Sequence, residues 1–166
     1  MGTWFSGLRS FVAGTKAKSE DVNFNFDKVS DALNDLFQVG RVQASGKGTM
    51  TTSFSDITGA SKSITVDQPS ILVAIATFHP TVESNAAFTG TLNIDGVDQT
   101  VEAVLSAPSG AGAAAWPVTA TYVKELAEGA HTVKMRGKKS GSGVSVEVFD
   151  IDNTGFVYYV IPDPEP

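Results

Sequence analysis

Few side chains in this sequence are suited to acid–base or nucleophilic chemistry. There is no cysteine, which removes thiol nucleophiles, zinc–thiolate sites and disulfides. Of the two histidines, His131 alternates in phase with Val133 and Met135 and reads as a histidine turned toward the core. His79 precedes Pro80 at the end of an apolar run and reads as a loop residue. No Ser/His/Asp spacing, HExxH, Gly-rich phosphate loop or EF-hand pattern is present. Asp150, Asp152 and Asn153 gather oxygen ligands that suit calcium in a turn, but the plainer reading is a polar connection between strands. Any two carboxylates could meet in space as a glycoside-hydrolase pair, and nothing singles out a pair. The sequence therefore predicts neither catalysis nor a cofactor or metal.

Binding chemistry is better represented. Trp116 follows the small-residue stretch 109–115 (SGAGAAA) and is the side chain best placed to stack on a sugar, although a core tryptophan is the plainer reading. Lys134, Arg136, Lys138 and Lys139 form one small basic cluster, read as a solvated face. Against 12 basic residues stand 18 acidic ones, a net charge of −6, which argues against a nucleic-acid partner. The longest apolar run, 71–76, falls far short of a membrane span, so no membrane partner is expected.

Six of the fifteen aromatic residues lie in the first 37 positions, a density that a segment without its own core does not need. Trp4, Phe5, Leu8 and Phe11 mark residues 1–18 as an anchoring arm. Residues 19–40 predict a helix. Ser19 is a fitting N-cap, Glu20 and Asp21 favour the first turn, and Gly40 is a fitting C-terminal stop. Its apolar residues Val22, Phe26, Val29, Leu33 and Leu36 step by 4, 3, 4 and 3, an a/d seam slightly over two heptads long. A helix this short is marginal alone, so the seam needs a partner. Its own β domain, symmetry mates or a larger assembly would serve, and the last two are favoured.

Residues 41–166 read as short strands separated by turns. The stretch 88–94 alternates, with Phe88, Leu92 and Ile94 on one face and Thr89, Thr91 and Asn93 on the other. Asp95-Gly96 is a tight hairpin signal. Strands are also expected near 101–105, 116–124, 130–136, 144–149 and 156–161, and less clearly at 49–57 and 62–66. The fold class is mainly β: an antiparallel, jelly-roll-like sandwich preceded by an extended arm and one short amphipathic helix. Two stretches break the alternation. Residues 71–78 (ILVAIATF) and 156–161 (FVYYVI) are apolar on both faces, where a sandwich strand normally keeps one face wet. A neighbouring subunit is the favoured cover, and Ile71, Val73, Ile75, Phe156, Tyr158 and Tyr159 are the candidate interface.

Residues 14–36 (GTKAKSEDVNFNFDKVSDALNDL), with Asp21, Asn23, Asn25 and Phe26, resemble a segment near the start of tailed-bacteriophage virion proteins, where a D-x-N-x-N-F motif opens a helix. FTGTLNIDG, ELAEGAHTVKMRG and GFVYYVIP resemble the β-sandwich heads of trimeric phage fibre and decoration proteins, which are loosely similar to the tumour-necrosis-factor-like jelly roll. The resemblance implies a homotrimer that attaches to the virion by its N-terminal part and projects its head outward. Its partner would be the major capsid protein or another virion protein. The chain has no repeated shaft, which favours a head-decoration (cement) or short head-fibre protein over a long fibre. A knob that binds a host-surface glycan is the alternative.

Overall fold

A computed structural model of the 166-residue chain describes residues 19–35, 38–141, 146–148 and 153–163. The arm residues Trp4, Phe5, Leu8 and Phe11 lie outside these, as do Leu36, Asp150 and Asp152. One helix, α1 (Ser19–Asp35), precedes the strands. It stops short of Gly40. That glycine lies inside the first strand, β1 (Gln38–Gln43), paired with Tyr158.

The eight longer strands arrange themselves in two antiparallel sheets. The first sheet runs β1, β12 (Gly155–Pro162), β3 (Ser70–Phe78), β9 (Val118–Leu126). The second runs β2 (Ser55–Val66), β10 (Gly129–Ser140), β5 (Ala86–Ile94), with β7 (Ala103–Ala107) on the far edge of β5. Successive long strands thus pass from one sheet to the other at every step except β5 to β7, which pair directly, and the first and last are neighbours. This is the interleaved order of a jelly roll. Short strands complete it. β6 (Val97–Asp98) extends the second sheet, while β4 (Pro80–Val82), β8 (Ala114–Ala115) and β11 (Val146–Val148) form a small third sheet.

The core lies between the two main sheets. Leu72, Ala74, Ala76 and Phe78 point inward from β3, and Phe88, Leu92, Val133 and Met135 face them from the second sheet. Phe78 and Phe88 meet across the gap with ring centroids 5.5 Å apart and planes tilted by 53°. Two glycines make room for them. Gly90 and Gly137 are cross-strand partners on β5 and β10. A Cβ on Gly90 would lie 2.7 Å from the Phe78 ring, and one on Gly137 would lie 2.7 Å from both the Phe88 ring and the Met50 sulfur.

The second sheet is also covered on part of its outer side. Thr89, Thr91 and Asn93 do lie opposite Phe88, Leu92 and Ile94, yet they are buried. The chain between β6 and β7 folds over them. Thr91 Oγ1 is 2.9 Å from the Gln99 carbonyl and 3.0 Å from that of Val101, and Asn93 Nδ2 donates to Asp98 Oδ1 at 2.7 Å. Burial of Thr91 and Asn93 is tolerated here because each side chain finds a partner. The Asp95-Gly96 hairpin forms as expected, with both residues at positive φ (51° and 85°), as a type I′ turn requires.

Because Gly90 sits under Phe78, Gly90→Ala should lower stability by about 1–3 kcal/mol through overpacking. Chemical denaturation checks this. A variant as stable as the parent would show that the two rings can shift without cost.

Candidate functional site: the outer face of the first sheet

The residues singled out for chemistry are tied up structurally. His131 is half-buried at one end of the sandwich rather than inside the apolar core. Its Nδ1 lies 2.7 Å from Asp95 Oδ2 and its Nε2 lies 2.8 Å from the Ala127 carbonyl. Both partners can only accept, so the imidazolium, with two N–H groups, satisfies both bonds at once. The ring clamps the β5–β6 hairpin to the β9–β10 turn. The Asp95 bond and then the Ala127 carbonyl hold the His131 pKa above 6.5, against the opposing effect of burial. Burial by itself raises the Asp95 carboxyl, but the bonds from His131 and the Thr132 N–H outweigh it and leave the pKa below 3.8.

The basic cluster is likewise neutralised. Arg136 Nη1 reaches both Asp98 oxygens at 2.7 Å, and its Nε lies 3.1 Å from Asp56. Lys134 pairs with Asp56 at 3.0 Å and Lys138 with Glu102 at 3.2 Å. Lys138 also sits 4.2 Å from the Phe54 ring centroid. This network pins the chain preceding β2 and the β6–β7 connection onto β10. Among the described residues, no group of three His, Cys, Asp or Glu side chains could hold a metal.

What distinguishes the molecule is the outer face of the first sheet. Strand register places Val39, Tyr159, Val73 and Val123 side by side across all four strands. Val39 is 59% exposed, Tyr159 40% and Val123 69%, with Val73 half-buried between them. One step along, Val157 and the exposed Ile75 continue the patch between Arg41 and Thr121. One step the other way, Ile161 and Ile71 do so beside Glu125. A groove of about 480 Å³ opens at one end of this face, with Ile75, Val157 and Tyr159 among its walls and Arg41, Thr77, His79 and Asn153 around it. A contiguous apolar surface crossing four strands is more than the scattered exposure usual on a monomer.

The six residues proposed from sequence for this surface divide in two. Ile71, Val73, Ile75 and Tyr159 face outward. Phe156 and Tyr158 do not: they point between the sheets and are buried. Their outward places are taken by Val157 and Ile161. Side chains of a strand alternate with period two, so FVYYVI cannot present Tyr158 and Tyr159 to the same side. Sequence reading also missed Val39 and Val123. A single valine beside Gln38 or Lys124 gives no signal until β1 and β9 are known to flank β12 and β3.

The other candidates lie on α1 and ahead of β9. On α1, Phe26 is 70% exposed, Val22 and Val29 are half-buried, and the Leu33 side chain lies outside the described residues. Trp116, expected in the core, is instead 66% exposed, just before β9.

The His131 clamp has a defined pH dependence. A pKa raised on folding means the stabilisation is complete below about 6.5 and declines as pH rises through the folded value. A carboxyl lowered on folding means Asp95 contributes above about 3.9 and less as pH falls through its folded value. The pair is therefore strongest between those limits. His131→Asn should flatten the stability loss seen between mildly acidic and alkaline pH in thermal melts. An unchanged pH profile would exclude the clamp.

Comparison with protein-family models finds no match, and comparison with curated proteins finds none. Comparison with solved structures finds distant similarities. Murine APRIL at pH 5.0 is similar with a TM-score of 0.46 and 12% identity over 75% of this chain and 98% of that one. Eiger TNF from S. frugiperda gives 0.45 and 8%, over 78% and 98%. The globular domain of zebrafish complement 1qA gives 0.38 and 11%, over 75% and 95%. The jelly-roll assignment rests on this chain's own strand order.

Proposed function

We propose that this chain is a non-enzymatic structural subunit: a homotrimeric jelly-roll head, held to a phage virion by its N-terminal arm. The observation that carries the oligomer is the apolar row Val39, Tyr159, Val73 and Val123, continued by Ile75, Val157 and Ile161. Removing such a face from water contributes roughly 25 cal/mol per Å², and a stable contact hides about 800 Å² per partner. A second copy of the chain supplies a surface of the same character. The phage setting rests on the resemblance of the D-x-N-x-N-F helix motif and the head strands. In that setting the aromatic arm binds the major capsid protein, and the heads act as cement that links neighbouring shell subunits against internal pressure.

The purified chain should run in light scattering at three times its 17.4 kDa mass. A chain lacking residues 1–18 should still run at three times its own, smaller protomer mass and keep its β-sheet circular dichroism, yet fail to decorate purified particles. Full decoration by the truncated chain would remove the anchoring role.

The exposure of Trp116 favours a second reading, a knob that binds a host-surface glycan. In a glycan array that reading expects binding that Trp116→Ala abolishes. No binding by the parent chain leaves the structural role alone.

A further inference from the structure

The outer face of the first sheet is almost free of charge. Among its described outward positions two are charged, Arg41 on the edge strand β1 and Glu125 on the opposite edge strand β9. Both are exposed, and neither forms an ion pair with another described residue. They cannot meet within one chain. Three strand spacings and four residues along the strand separate them, about 20 Å at ~4.8 Å per strand and ~3.3 Å per residue.

We infer that Arg41 of one copy pairs with Glu125 of the next, and that this pair sets the direction and register of the subunit ring. The inference rests on the oligomer reading above and makes it specific. In a ring of three, every contact is heterologous: two different patches must complement each other, repeated around the axis. This face offers that asymmetry. Its apolar middle is sign-neutral and would accept a neighbour in several registers, because apolar contact is non-directional. A cation near one edge and an anion near the other favour neighbours whose unlike edges meet, the arrangement a head-to-tail ring repeats at every contact. A like-edge approach brings Arg41 against Arg41 or Glu125 against Glu125, which costs free energy as the face dries. Arg41 beside the groove is well placed for this. The wall formed by Ile75, Val157 and Tyr159 lowers the local dielectric around a carboxylate that enters, and a guanidinium receives a carboxylate in bidentate geometry. Charge at the margin and apolar surface in the middle is the anatomy of a specific interface.

Charge exchange tests the pair. Arg41→Glu and Glu125→Arg should each weaken association about tenfold or more in analytical ultracentrifugation, and the double variant should recover to within about threefold of the parent. Both sites are exposed, so the fold should survive, and unchanged circular dichroism and melting of the variants at a concentration where they are dissociated verify this. The doubly neutral Arg41→Gln, Glu125→Gln chain should lose most of the salt dependence of association. A trimeric parent whose single variants associate normally, or whose double variant is no better than the weaker single, overturns the pair and leaves the oligomer standing. A parent that stays monomeric overturns both.

Discussion

The tilted packing of Phe78 against Phe88 over two glycines is the contact on which the sandwich depends. Each ring comes from a different sheet, and each occupies space that a Cβ would fill, on Gly90 of the facing sheet for Phe78 and on Gly137 of the neighbouring strand for Phe88. Gly90 and Gly137 are paired in register, so the hollow is a property of two strands distant in sequence. Once the rings are seated, the distance between sheets and the phase of β3 and β5 follow together. Leu72, Ala74 and Ala76 must then point inward with Phe78, and Ile71, Val73 and Ile75 must point out. The apolar outer face is thus a consequence of the core. The chain cannot rotate β3 to hide those residues without withdrawing Phe78.

The two sheets manage their outer faces differently. The second covers Thr89, Thr91 and Asn93 with its own chain and gives Thr91 and Asn93 hydrogen-bond partners. It fixes those coverings with Arg136 and its carboxylates. The first carries a patch made of valine, isoleucine and tyrosine. Burial of hydroxyl and amide groups demands a local and geometrically exact partner, which the chain provides for itself. Burial of a broad apolar patch demands only a complementary surface, which another copy can supply. This difference in the specificity of polar and apolar contacts underlies the proposed division between a self-sufficient sheet and an assembling one.

Much of this was legible in the sequence. The Asp95-Gly96 hairpin, the alternation of 88–94 and the two-faced apolar character of 71–78 and 156–161 each follow from short-range rules, and all appear in the fold. Other features were not legible because they depend on partners far along the chain. His131 shared a phase with Val133 and Met135 and so read as a core residue. It was the hairpin turn carrying Asp95 and the Ala127 carbonyl that made its place a hydrogen-bonded one at the end of the sandwich. Trp116 read as a core residue first and a sugar contact second, because tryptophan is large and apolar, but it lies exposed just ahead of β9, an edge strand of the first sheet among the described residues.

By itself the sequence determined the class of the molecule: a string of short strands, with more apolar strand surface than one sandwich core consumes. Composition and period-two patterning are local, and a single chain displays them without folding. Only the tertiary structure decided which half of that surplus is inside. In FVYYVI every residue is apolar, so either phase satisfies the pattern. Gly40 decides between them: on β1 it lies opposite Tyr158, where a Cβ would come within 2.5 Å of the ring. Tyr158 therefore lies over Gly40 on the inner side, and Tyr159 takes its place beside Val39, Val73 and Val123 on the outer one. The same registration leaves Arg41 and Glu125 at opposite margins of that face. Their separation exists only once four strands from distant parts of the chain lie side by side.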